Sequence, residues 1–217
     1  MLPATNTQRI AAEFVGTALL LAVVVGSGIM GEKLSGGNAA VALLGNSIAT
    51  GAGLYVLITI LAPVSGAYFN PVVSITFWRS GTLSAGLLAA YVCAQLTGGV
   101  IGVWVTHAMF DMPLLQFSTN IRSGVGQWIS ECIATGALLA VIHLGLRNAA
   151  ERVPLMVALI VTAGYWFTAS TFFANPAVTL ARALSDSFAG IRPGDVAGFT
   201  IAQLIACVIA CIWLRPR

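Results

Sequence analysis

Long apolar stretches recur along this chain, each near the roughly 20 residues a helix needs to cross about 30 Å of hydrocarbon. They run from Ile10 to Met30, Ala39 to Ala62, Ser84 to Ala108, Val125 to Leu146, Pro154 to Ala169 and Gly194 to Leu214. Lipid offers the backbone no hydrogen-bond partner, so such segments must satisfy their own N–H and C=O groups as helices. With 58% hydrophobic and 8% charged residues, too little polar surface is left to clothe a water-soluble domain. The expected fold class is therefore all-α integral membrane, one transmembrane domain over 1–217 with six transmembrane helices. The N-terminal MLPATNTQRI has no separate basic stretch, short apolar core or small-residue cleavage site, so the first apolar run reads as a retained span.

Two shorter pieces, Asn70 to Arg79 and Asn175 to Leu184, are helix-like but about half as long as a span, and each opens on Asn-Pro. They are re-entrant half-helix candidates. Around them the sequence repeats. AEFVGTALLLAV (Ala12 to Val23) is echoed by SECIATGALLAV (Ser130 to Val141), matching Glu13 to Glu131, Thr17 to Thr135 and Leu20 to Leu138. NPVVS (Asn70 to Ser74) is echoed by NPAVT (Asn175 to Thr179), and YVCAQLTGGVIG (Tyr91 to Gly102) by FTIAQLIACVIA (Phe199 to Ala210), matching Gln95 to Gln203. Three spans per half is an odd number, so the second half, about 122–217, must enter the membrane upside down relative to the first, about 1–110. Basic residues set the expected orientation. With both termini cytoplasmic, Arg9, Arg79, Arg147, Arg152, Arg215 and Arg217 lie inside, against Lys33, Arg122, Arg182 and Arg192 outside.

Asn is a preferred helix N-cap and Pro is favoured at the first helical position, so Asn70-Pro71 and Asn175-Pro176 start helices. In an inverted repeat these half-helices enter from opposite faces and meet N-terminus to N-terminus near the midplane. Each then brings about half a positive elementary charge from its aligned peptide dipoles. Such a site attracts the oxygen of a neutral polar solute and repels cations, protons included. Glu13 and Glu131 are intramembrane ionisable groups, which mark a functional site by default. They are either part of a proton or ion pathway or acceptors for the backbone N–H groups of the re-entrant loops. One glutamate per half and per loop favours bracing, with Gln95 and Gln203 as polar partners. The four cysteines, Cys93, Cys132, Cys207 and Cys211, lie inside apolar runs without metal-ligand spacing and read as buried free thiols. His107 and His143 belong to no motif and read as helix-end or core residues. No catalytic constellation, metal site or cofactor motif is apparent, so an enzyme is not expected. The net charge of +3 with scattered basic residues gives nucleic acid nothing to bind.

SGAYFNPVVS (Ser65 to Ser74) resembles the SGAHFNPAVT string of the aquaporin and aquaglyceroporin superfamily, and AEFVGT and AQLTGG resemble its first- and third-helix signatures. The resemblance covers essentially the whole chain. It implies six helices and two half-helices per protomer, passive conduction of water or small uncharged solutes, usual assembly as a homotetramer, and here a bacterial inner membrane. It also implies that the asparagines sit at a pore motif of Asn70, Pro71, Val72 and Asn175, Pro176, Ala177, and that the two glutamates brace the loops. Val72 stands where the family has alanine, and Tyr68 where it has histidine.

The family also selects solutes at a constriction on the extracellular side of the asparagines. Carried over without gaps, its four positions are Thr50, Ala163, Phe172 and Val178; Thr50 and Ala163 assume ungapped helices, and a slip of one residue puts Gly164 in place of Ala163. Val178 occupies the seat that is almost always arginine. Only Phe172 is bulky, so the implied filter is wider and less polar, with neither a cation-repelling charge nor a strong hydrogen-bond anchor at that seat. Arg182 lies four residues on, about 6 Å further out on the same helix face. It either crowns the outer mouth or is an interfacial arginine that snorkels. An arginine-free filter suits glycerol, urea or neutral metalloid species such as arsenous acid and methylated arsenicals; some bacterial members of this kind are linked to arsenic detoxification. The main rival is a secondary transporter, which also uses inverted repeats with broken helices. With both glutamates assigned to bracing, no ionisable residue is left to couple ions.

Overall fold

The computed structural model describes residues 3–213. Its α-helices are α1 (Asn6–Leu34), α2 (Ala39–Ser65), α3 (Pro71–Arg79), α4 (Ala85–Met109), α5 (Val125–Asn148), α6 (Val153–Phe167), α7 (Pro176–Arg182) and α8 (Val196–Trp213). Short 3-10 turns at Ala150–Arg152 and Pro193–Asp195 lead into α6 and α8, and there is no β-strand among the described residues. Six helices, α6 and α8 taken together with the 3-10 turns that lead into them, are long and apolar enough to span a membrane, and α3 and α7 are the two short ones. Leu214, Arg215 and Arg217, used above for a span boundary and for orientation, lie outside the described residues.

Local chemistry sets the helix ends. Thr5 and Gln8 form a reciprocal capping box that starts α1 before its apolar run begins. Asn38 caps α2 through its side-chain oxygen, and Gly66, at φ 94°, ends it in the left-handed conformation. α6 stops at Phe167, short of the expected Ala169. Just beyond it the Thr168 hydroxyl donates to Gly164 O (2.7 Å) and accepts from Phe172 N (3.0 Å), which turns the chain into a loop.

α1 packs on α2 and α4, α5 packs on α6 and α8, and α2 against α6 joins the two sets. Each half-helix lies against both: α3 against α4 and α8, α7 against α8 and α4. The α1–α4 approach is close because a Cβ on Gly98 or Gly102 would collide with the carbonyls of Phe14 and Ala18. The polarity of the bundle suits lipid. Leu19, Ile48, Ile133 and Val208 are exposed, whereas Glu13, Asn46, Gln95, Glu131 and Gln203 are buried. The cysteines depart from expectation. All four are free, but only Cys207 is buried; Cys132 and Cys211 are half-buried and Cys93 is exposed. A thiol is apolar enough to sit on a lipid-facing surface, so a hydrophobic run does not by itself assign it to the core.

The segments 110–124 and 183–195 are sewn together at one end of the bundle. Ser118 N donates to Ala183 O (3.0 Å), Arg192 N to Asn120 O (2.7 Å), and the Asn120 amide to Ser187 O (2.7 Å).

Candidate functional site

The segments leading into α3 and α7 follow one backbone path. Counting back from each asparagine, the same three positions have positive φ: Gly66 (94°), Ala67 (52°) and Phe69 (49°) in the first, Thr171 (61°), Phe172 (56°) and Ala174 (48°) in the second. A residue other than glycine costs about 1–3 kcal/mol in such a conformation and keeps it only where its surroundings impose it. Here a buried carboxylate does so. Glu13 accepts from Tyr68 N (2.9 Å) and Phe69 N (2.7 Å), and Glu131 from Phe173 N (3.0 Å) and Ala174 N (2.9 Å).

A glutamine joins each carboxylate to the half-helix. Gln95 Nε2 donates to Glu13 (2.8 Å) and to the Ser74 hydroxyl (2.9 Å), and Gln203 Nε2 donates to Glu131 (2.6 Å) and to the Thr179 hydroxyl (2.9 Å). Two partners escaped the sequence reading. The Ser65 hydroxyl donates to Glu13 (2.7 Å), and Tyr91 OH, contacted by Arg9 Nε (3.1 Å), donates to Ser65 O (2.8 Å). Tyr91 opens the YVCAQL string, so its motif signalled it; its partner, a backbone carbonyl, carried no signal.

Each asparagine has two tasks. Asn70 Oδ1 accepts from Val72 N (3.0 Å), and Asn175 Oδ1 from Ala177 N (2.9 Å) and Val178 N (3.3 Å), so each caps its own half-helix. Pro71 and Pro176 follow at the first helical position. Each Nδ2 donates to the other loop: Asn70 to Ala174 O and Asn175 to Phe69 O, both 2.8 Å. The two half-helix starts are thus locked to one another, and one N–H of each amide is left over.

Beside this lock runs a cavity of about 190 Å³. Thr50, Leu54, Ile58 and Ala62 of α2 and Val153, Val157, Val161 and Tyr165 of α6 line it, with Leu20 and Val24 of α1 and Leu138, Ile142 and Leu146 of α5. Positions repeating every fourth residue form one helix face, and twelve residues of it cover about 18 Å. These stripes are apolar apart from Thr50 and Tyr165, whose hydroxyls share a hydrogen bond (3.1 Å). Asn70, Asn175, Tyr68, Phe172, Val178 and Arg182 complete the lining.

Thr50, Phe172 and Val178 therefore lie on the cavity wall together, but Ala163 does not join them. It is exposed on the outer face of α6, while Val161 and Tyr165 face inward. The positions between α6 and Asn175 are not helical, so a count carried through them loses rotational register. Gly164 provides the floor under Phe172, whose ring fills the space a Cβ would need. Val72 is fully buried in a cluster with Leu139 and Cys207, away from the cavity, and Ala177 is buried beside the Asn175 cap. Arg182 does not snorkel. It is 2% exposed and lines the cavity; its Nε donates to Ala189 O, and its guanidinium carbon lies 3.4 Å from the Phe173 ring centroid. His107 ends α4 bonded to Leu114 O (3.1 Å) and the Ser185 hydroxyl (3.0 Å), and His143 meets the Thr76 hydroxyl (2.9 Å); neither lines the cavity.

Six apolar spans, two half-helices and a lined cavity define an integral membrane protein of channel type. Residues 2–172 match the major intrinsic protein (MIP) family, and the chain belongs to that family, whose members are channels and not enzymes. It is 53% identical over 209 residues to the aquaglyceroporin AqpS of Rhizobium meliloti (strain 1021), a match that covers 96% of this chain and 89% of the relative. It is 27% identical over 199 residues to the glycerol uptake facilitator protein of Haemophilus influenzae, covering 90% of this chain and 67% of the relative. Among solved structures, the aquaglyceroporin from Plasmodium falciparum matches with a TM-score of 0.71 at 20% identity, over 97% of this chain and 94% of that one.

Proposed function

We propose that this passive small-solute channel conducts uncharged polar solutes larger than water, such as glycerol and urea, together with water. Neutral metalloid species, arsenous acid and methylated arsenicals among them, are within its range. The cavity would be the conduction path, and Thr50, Phe172 and Val178 its constriction, with Val161 and Tyr165 in place of Ala163. One observation carries this reading: Val178, in the first turn of α7, contributes an aliphatic side chain to the cavity wall, and Thr50 and Phe172 contribute no charge. The names of the R. meliloti and H. influenzae relatives support a glycerol-like solute. Glu13 and Glu131 have their oxygens engaged by loop amides and glutamines, which favours bracing over ion coupling and a channel over a transporter.

The test is osmotic swelling or shrinkage of proteoliposomes against a panel of water, glycerol, urea and arsenite. Glycerol and arsenite should permeate linearly with gradient. Val178→Arg should slow glycerol about tenfold, the effect of ~1.4 kcal/mol added to the barrier, and water much less. Unchanged flux of every solute in that variant would remove Val178 from the constriction.

A further inference from the structure

We propose that the cavity carries, beyond Val178, a binding site for a small oxyanion of carboxylate type, centred on the guanidinium of Arg182. A buried charge normally has a partner. Arg182 is 2% exposed, and among the described residues the ion pairs are Arg152–Glu151 and Arg192–Asp195, so no carboxylate pairs with it. Its Nε is spent on Ala189 O, while its other N–H groups have no hydrogen-bond partner among the described residues, on a side chain that lines the cavity. Phe173 fixes the fork from one face, at 3.4 Å.

The surroundings add positive potential. Arg122 lies over the same Phe173 ring at 5.3 Å, and its guanidinium is spent on Gly190 O (2.8 Å), Phe188 O (3.4 Å) and the Thr171 hydroxyl (3.5 Å), which leaves its charge unpaired. The nearby buried carboxylate, Glu131, has its oxygens taken by Phe173 N, Ala174 N and Gln203. The Thr50 and Tyr165 hydroxyls, also on the cavity lining, share one hydrogen bond, which leaves one of their two protons over. Neutral and cationic donors line one cavity with no anionic acceptor free, which favours an anion. The planar fork favours two oxygens held in parallel over a spherical ion. An anion seated there would stand in the lumen and slow uncharged solutes, a consequence that rests on the cavity being the conduction path; the binding itself does not.

Sodium formate at neutral pH, with sodium chloride at equal concentration as control, is the probe. For the full chain in detergent, formate should raise the melting temperature saturably and chloride should not. In proteoliposomes with formate on both faces, glycerol flux should fall about twofold at the half-saturating concentration, by simple occupancy. Arg182→Met should abolish the saturable melting shift. Arg182→Lys, which keeps the charge and loses the fork, should bind formate about tenfold more weakly. Formate and chloride acting alike on the unaltered protein would overturn the proposal whether or not the variants fold, as would an Arg182→Met protein that responds like the parent. Stabilisation by formate with undiminished glycerol flux supports the site and places the failure in the conduction path.

Discussion

Glu131 shows how much one side chain can do at membrane depth. Two backbone amides and a glutamine converge on it, and the segment it holds has three residues at positive φ. Glu131→Leu would leave those donors unpaired in a buried setting, at about 1–3 kcal/mol for each. The melting temperature in detergent should fall sharply and solute flux should be lost. Glu131→Gln keeps an acceptor oxygen and should lie between. Equal melting temperatures for Glu131→Leu and the parent would show that the loop is held by other means. The glutamate itself was legible in the sequence, because its repeat partner and its depth both marked it. Ser65 and the Arg9–Tyr91 contact were not, since those side chains are ordinary in composition and acquire their role only where remote segments meet.

Helix register is decided one level up. The sequence places α6, but which of its faces looks inward depends on where the helix stops and on the non-helical turn that begins at Thr168. This separates exposed Ala163 from Val161 and Tyr165, which line the cavity. Val161→Trp should narrow the lumen and cut glycerol flux severalfold, while Ala163→Trp should leave it near the parent value in the same swelling assay. The reverse result would restore the ungapped count. The α1–α4 crossing offers a second check. Gly102→Leu would drive a branched side chain into the Ala18 carbonyl, and two helices that pack on a close contact would have to part. The yield of folded protein in size-exclusion chromatography should collapse, and Gly102→Ala should do less harm.

For the molecule as a whole, orientation and assembly are proposals. Both termini are proposed to be cytoplasmic, so a protease-sensitive tag on the C-terminus should be cleaved in inside-out vesicles and protected in right-side-out ones. The proposed homotetramer should appear as four chains by native mass spectrometry. By itself the sequence determined the spans, the two Asn-Pro half-helices and the paired glutamates and glutamines. Hydrophobic length, capping chemistry and internal repetition are local properties that survive as strings. Only the tertiary structure decided that the two asparagines hold each other's loops, that α6 presents Val161 and Tyr165, and that Arg182 turns into the cavity instead of towards the interface. Those outcomes depend on rotation about helix axes and on contacts between segments about a hundred residues apart, for example Asn70 with Ala174 across 104 positions. No local pattern records them.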